Sequence, residues 1–252
     1  MCTLILLRRP DHPWPLVIAA NRDEMRDRPW TAPGRHWPDR PEVVAGLDDL
    51  AGGSWLGLND HGVVAALLNR KGTLGPQAGK RSRGELVLEA LDHADAVDAA
   101  EALGHLNPEA YRPFNLIVAD TRDAFWIRVA EDGRVGVEPL PEGLSMVTAG
   151  DLNDIRDARI AANLDRWRAA PWPDPDLPGD DGWEAWTRLQ GLGPDPDAAT
   201  PGAGMCFAYD SGFGTVCASQ IAVPAPALDP RPPVLRFAAG PPDRTPFRPL
   251  EG

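Results

Sequence analysis

Read as apolar and polar positions, the first 70 residues alternate short apolar segments, TLILL, PLVIAA, VVAG, SWLGLN and VVAALLN, with turn residues such as Asp-His-Pro, Gly-Gly and Asp-His-Gly. Strand-length runs joined by short turns predict antiparallel pairing. The period then changes. In SRGELVLEALDHA, Val87, Ala90, Leu91 and Ala94 recur at helical spacing, and Ser82 with Glu85 has the S-x-x-E spacing of a capping box. DAVDAAEALGHL predicts a second helix with Asp95 as N-cap and Gly104 near its end, so that two helices cover the first sheet.

Strand signals resume in FNLIVAD, AFWIRVA, RVGVEPL and LSMVTAG, which predict a second antiparallel sheet. NDIRDARIAANLDRWRAA is helical, with Ile160, Leu164 and Trp167 on one face, and DGWEAWTRLQGL predicts a further helix beyond the polar loop PWPDPDLPGDD. Residues 193–204 read as another Pro/Gly loop, followed by strands MCFAYD, GTVCASQIAV and PVLRFAAG. This order predicts an α+β fold, a four-layer αββα sandwich of two antiparallel sheets with helices outside. One large sheet in a plain α+β domain fits the same order. No composition break or internal repeat divides the chain, which predicts a single domain over residues 1–252.

Charge narrows the partners. The chain of 252 residues carries a formal net charge of -12, which opposes nucleic acid and anionic lipid surfaces. Its longest apolar runs are strand-length, far short of the roughly 20 residues of a membrane span. Arg8 and Arg9 follow TLILL instead of preceding it, so a secretory signal is not expected and the expected location is cytoplasmic. Cys2, Cys206 and Cys217 are an odd set without metal-ligand spacing, as a reducing compartment allows. His12, His36, His61, His93 and His105 are scattered, and no metal site is expected. Lysine is confined to Lys71 and Lys80 among many arginines, a bias consistent with a GC-rich bacterial genome.

Candidate chemistry starts at residue 2. Removal of Met1 ahead of a residue as small as cysteine leaves Cys2 with a thiol and a free α-amine, of pKa about 8.5 and about 8 in peptides, so that one residue supplies nucleophile and base. The alternative is a small buried hydrophobe. Asn21, Arg22, Asp23 and Glu24 follow a strand expected to hairpin with the first, which returns them to Cys2. There an arginine favours thiolate and an aspartate orients the amine; a solvated hairpin end is the alternative. Asn69, at a strand end, is a candidate oxyanion donor. Asn21, Glu24, Trp55 and Asn59 are candidate substrate contacts, with a core tryptophan beside a bulge as the other reading of GGSWLGLN. Cys206 and Cys217 are expected within strands, buried and inert.

MCTLILLRRP, LVIAANRDEMRDRP, DDLAGGSWLGLNDHGVVAALLNR, SRGELVLEAL, FNLIVAD and GFGTVCASQIAV together resemble the NRDE family, which includes the transport-and-Golgi-organisation proteins and is related to N-terminal nucleophile hydrolases. The resemblance implies the αββα fold, Cys2 as nucleophile, Asp23 as the aspartate that holds the amine, Arg22 near the family arginine and Asn69 at the oxyanion. It implies an amide hydrolase or acyltransferase working through a thioester, with no cofactor required. Because eukaryotic members are linked to haem trafficking and acyl-CoA or lipid homeostasis, it also implies the alternative of a non-catalytic carrier with a haem or acyl ligand. Two departures stand out. VTAGD has Ala149 and Gly150 where the hydrolases carry a second oxyanion asparagine, and GTVCAS has Val216 and Cys217 where many NRDE proteins carry an arginine.

Overall fold

In a computed structural model, which describes residues 2–194, 203–226 and 231–250, the predicted apolar runs become strands β1 (Thr3–Arg8), β2 (Leu16–Met25), β3 (Trp30–Gly34), β4 (Val43–Asp48), β5 (Leu56–Asn59) and β6 (Val64–Asn69). Helices α1 (Glu85–Leu91) and α2 (Ala96–Gly104) follow, then β7 (Phe114–Ala119), β8 (Ala124–Val129), β9 (Val135–Pro139) and β10 (Gly143–Val147). The rest is α3 (Ala158–Ala169), α4 (Glu184–Gln190), β11 (Phe213–Val223), β12 (Val234–Ala238) and a short β13 (Arg248–Pro249).

These strands form two antiparallel sheets, but not with the membership expected from chain order. β1 and β2 leave their sequence neighbours and join the C-terminal strands in a six-stranded sheet, β10-β1-β2-β11-β12-β13, while β3 to β9 form a seven-stranded meander. The reason lies in β2. Its apolar run is buried on both faces and continues past Ala20 through the charged cluster to Met25, so it needs a long partner on each side. β1 supplies one, with Thr3 opposite Asn21, and β11 supplies the other from Phe213 to Val223.

The chain divides into two compact units, residues 1–27 with 142–251, and residues 28–141. In the first, Ile5, Leu7, Val17 and Ala19 pack against Ile160, Leu164 and Trp167 of α3 and Trp186 of α4. The Trp167 and Trp186 rings meet edge to face, with centroids 5.1 Å apart. In the second unit, Val43, Ala65, Leu116 and Ile127 pack against Leu86, Val87, Ala99 and Leu103 of α1 and α2. Each helix pair therefore covers one face of its own sheet.

Local signals fared unevenly. Asp95 caps α2, its side chain accepting from the Asp98 N–H at 2.9 Å. The expected capping box at α1 is absent. Gly84 is the N-cap and makes no side-chain cap bond, Ser82 Oγ accepts from the Gly84 N–H, and Glu85 is engaged by the Tyr111 hydroxyl at 2.5 Å and by Arg81 at 2.7 Å. A buried tyrosine hydroxyl outcompetes a solvent-facing cap for that carboxylate. MCFAYD is not a strand; it contributes only the bridge Ala208 to Gly214 and turns back on itself through Tyr209 and Gly212. Residues 195–202 of the second Pro/Gly loop lie outside the described residues.

Candidate active site

Where β2 continues into the charged cluster, alternation sends successive side chains to opposite faces of the sheet. Asn21 and Asp23 lie on the face covered by helices, as their partners there show; Arg22 lies on the other, with Cys2 next to it across the β1–β2 ladder. The hairpin thus brings Cys2 to the NRDE segment, as expected. The Cys2 thiol donates to the Asp23 main-chain carbonyl at 3.7 Å. Burial pushes the Cys2 thiol above its ordinary pKa and the Asp23 charge adds to that, while the Arg22 guanidinium pulls the other way.

The Asp23 carboxylate is held from α3 and from β11. Its Oδ2 accepts from Arg159 Nη1 at 2.7 Å and its Oδ1 from the Thr215 hydroxyl at 2.8 Å. Both partners of the ion pair are almost fully buried, with side-chain exposure of 5% for Arg159 and 0% for Asp23. The same Arg159 nitrogen donates to the Thr3 hydroxyl at 2.7 Å, which ties the residue after Cys2 to the carboxylate. The guanidinium lies over the Phe207 ring, 4.8 Å from its centroid. Thr215 reaches Asp23 because β11 is bulged: Thr215 opposes Asp23 and Cys217 opposes Arg22, with the register shifting between them. Val216, where an arginine was expected from the family pattern, sits in that bulge, and the cation beside Asp23 comes from α3 instead.

Arg159 and Thr215 were not singled out in the sequence. Arg159 lies in the first turn of α3, two residues after its N-cap Asp157. A basic side chain there opposes the helix dipole, and that breach of a local rule was the available signal.

The remaining candidates take other positions. Asn21 is a fastener: its amide donates to the Gln190 and Met205 carbonyls at 2.9 Å each, and its Oδ1 accepts from Gln190 Nε2 at 3.1 Å, which binds the C-terminal end of α4 to β2. Glu24 accepts from the Met25 N–H at 2.8 Å. Trp55, Asn59 and Asn69 belong to the second unit. Asn59 donates to the Leu91 and His93 carbonyls and accepts from the His61 and Val63 N–H groups, so its amide locks the β5–β6 turn to the end of α1 and is filled by those bonds. Trp55 packs edge-on to Trp30 and lies under Gly46, where a Cβ would fall 2.3 Å from its ring. Asn69 ends β6 opposite Phe114, partly exposed. Cys217 is buried in β11 with its thiol raised by burial, and Cys206 is buried outside any strand with its thiol pushed up to about 11. Among the described residues no group of three or more His, Cys, Asp or Glu side chains could hold a metal ion.

A family model described as Transport and Golgi organisation 2 matches residues 1–157. The Transport and Golgi organization protein 2 homolog of Bos taurus is 41% identical over 114 residues, which cover 42% of this chain and 38% of that one. The Homo sapiens homolog is 38% identical over 147 residues, 55% of this chain and 50% of that one. The chain thus spans half or less of the length of these relatives. Among solved structures, the N-acylethanolamine-hydrolyzing acid amidase ortholog of Caenorhabditis elegans is similar at a TM-score of 0.53 and 15% identity, covering 87% of this chain and 92% of that one. The C2A mutant of conjugated bile acid hydrolase from Clostridium perfringens is similar at a TM-score of 0.51 and 12% identity, covering 100% and 97%. At such identities the likeness shows the fold alone, the α+β arrangement of two antiparallel sheets found in N-terminal nucleophile hydrolases.

Proposed function

The chain belongs to the Transport and Golgi organisation 2 family, and from that premise and its hydrolase-like fold we propose that it is a cysteine amide hydrolase or acyltransferase acting through Cys2. The observation that carries the reading is the buried Asp23, braced by Thr215 and by an Arg159 that also holds Thr3, the residue after Cys2. A buried carboxylate with two dedicated donors in contact with the nucleophile's strand is an arrangement for orienting a reactive group.

With Met1 removed, Cys2 carries the α-amine as well as the thiol. The thiol proton passes to the neutral amine as sulfur attacks the acyl carbonyl. The resulting ammonium returns that proton to the leaving nitrogen as the C–N bond breaks, giving an amine and a Cys2 thioester. Water, or another acceptor in a transferase, cleaves the thioester and restores the thiol. Arg22 on the Cys2 side of the sheet stabilises sulfur as it gains negative charge. Asn69, the oxyanion donor implied by the family resemblance, belongs to the second unit.

Turnover of a panel of N-acyl amides tests the proposal. Cys2→Ala is expected to lower it at least about 10³-fold with the fold intact. Turnover that survives in the variant, or no turnover by the wild type beside saturable haemin or acyl-CoA binding, refutes it; the second result makes the carrier reading the better one.

A further inference from the structure

One segment reverses the charge of the whole molecule. In a chain of net charge -12, residues 61–84 contain Arg70, Lys71, Lys80, Arg81 and Arg83 and no Asp or Glu, and both lysines of the protein are among them. Arg112 folds onto the same loop, donating to the Leu74 carbonyl at 2.6 Å and to those of Gly75 and Gly72 at 3.0 Å. Lys80 donates to the Glu109 carbonyl at 2.5 Å, and Arg83 donates to Thr73 and to the Pro113 carbonyl. Neutral carbonyls anchor Lys80, Arg83 and Arg112, while Arg81 pairs with Glu85 at 2.7 Å, which leaves the segment with more cations than carboxylates. The loop is therefore both shaped and cationic.

At its tip, between Lys71 and Lys80, Leu74 is 41% exposed. It is flanked by Gly72 and Gly75, both at positive φ with open space where a side chain would project. An exposed leucine on a glycine-hinged tip, ringed by cations, has the chemistry of an element that lies on an anionic lipid surface: the apolar tip enters the headgroup boundary and the cations meet lipid phosphates. A soluble phosphate compound leaves Leu74 without a role. Nucleic acid would want an aromatic platform, and the aromatic ring beside the loop, Tyr111, is buried. The charge of the rest of the molecule does not forbid the contact, because it is screened beyond roughly 8 Å at physiological ionic strength.

We propose that the loop of residues 70–83, with Arg112, is a peripheral docking surface for an anionic phospholipid bilayer. This surface is independent of the chemistry at Cys2. Sedimentation of the purified protein with phosphatidylcholine vesicles, with and without phosphatidylserine, tests it. The expected result is binding only to the phosphatidylserine vesicles, weakened by added salt, and reduced about tenfold or more in K71E/L74S. Lys71 and Leu74 are exposed, so that pair leaves the fold intact, as circular dichroism checks; Lys80→Glu is a second variant with the same expected direction. Binding equal on neutral vesicles, no binding to either, or an unaltered K71E/L74S overturns the proposal. So does saturable pyrophosphate binding without vesicle binding, which reassigns the loop to a soluble ligand.

Discussion

A carboxylate as deeply buried as that of Asp23 depends on the guanidinium it meets. Removing one partner of a buried ion pair leaves an uncompensated charge, so Arg159→Ala is expected to cost about 3–5 kcal/mol in urea unfolding, whereas D23N/R159M, which removes both charges, recovers most of that. A loss under about 1 kcal/mol for Arg159→Ala contradicts the ion pair as a structural element. Asp23 and Cys2 were legible in sequence because a hairpin fixes their proximity within 21 residues. Arg159 was not, since it meets Asp23 across 136 residues and looks like a solvent-facing helix position. The amide partners of Asn21 and Asn59 were hidden for a related reason: a polar residue after an apolar run invites a ligand in sequence, and only the fold reveals which backbone groups bond its amide.

Elements were legible wherever period and length agreed, as in β1, β6, β7, β8 and α3. Pairing was less so, because β2 binds partners from the far end of the chain. β3 escaped notice, its residues being a polar and proline-bearing WTAPG. The Gly53 turn closely approaches the start of α1. The Ser54 N–H donates to the Gly84 carbonyl at 3.0 Å, and a Cβ on Gly53 would fall 2.5 Å from the Gly84 carbonyl carbon. Gly53→Ala must push α1 away from the sheet, and a loss of about 1–3 kcal/mol in thermal or urea unfolding is expected; wild-type stability in that variant contradicts the close crossing.

At the scale of the molecule, the three thiols and Tyr111 share one sign. Burial raises Cys2, Cys206 and Cys217, and burial with the Glu85 hydrogen bond raises Tyr111. Each group is neutral in the fold at a pH where the unfolded chain would ionise it. Their contribution is therefore complete below the ordinary thiol value of 9.0 and is lost as pH rises through the folded value, about 11 for Cys206. The melting temperature is expected to fall steeply above pH 9, and less steeply in C206A/C217A. A midpoint unchanged up to pH 11, or an equal slope in the double variant, contradicts this.

The central claim, that Cys2 is the nucleophile, is tested most directly by the mass of the N-terminal peptide after brief incubation with an activated acyl ester and an acid quench. The expected peptide begins at Cys2 and carries one acyl group, removable by hydroxylamine, while the Cys206 and Cys217 peptides stay unmodified. A peptide that still begins at Met1, or one that begins at Cys2 and takes no acyl group, contradicts the claim.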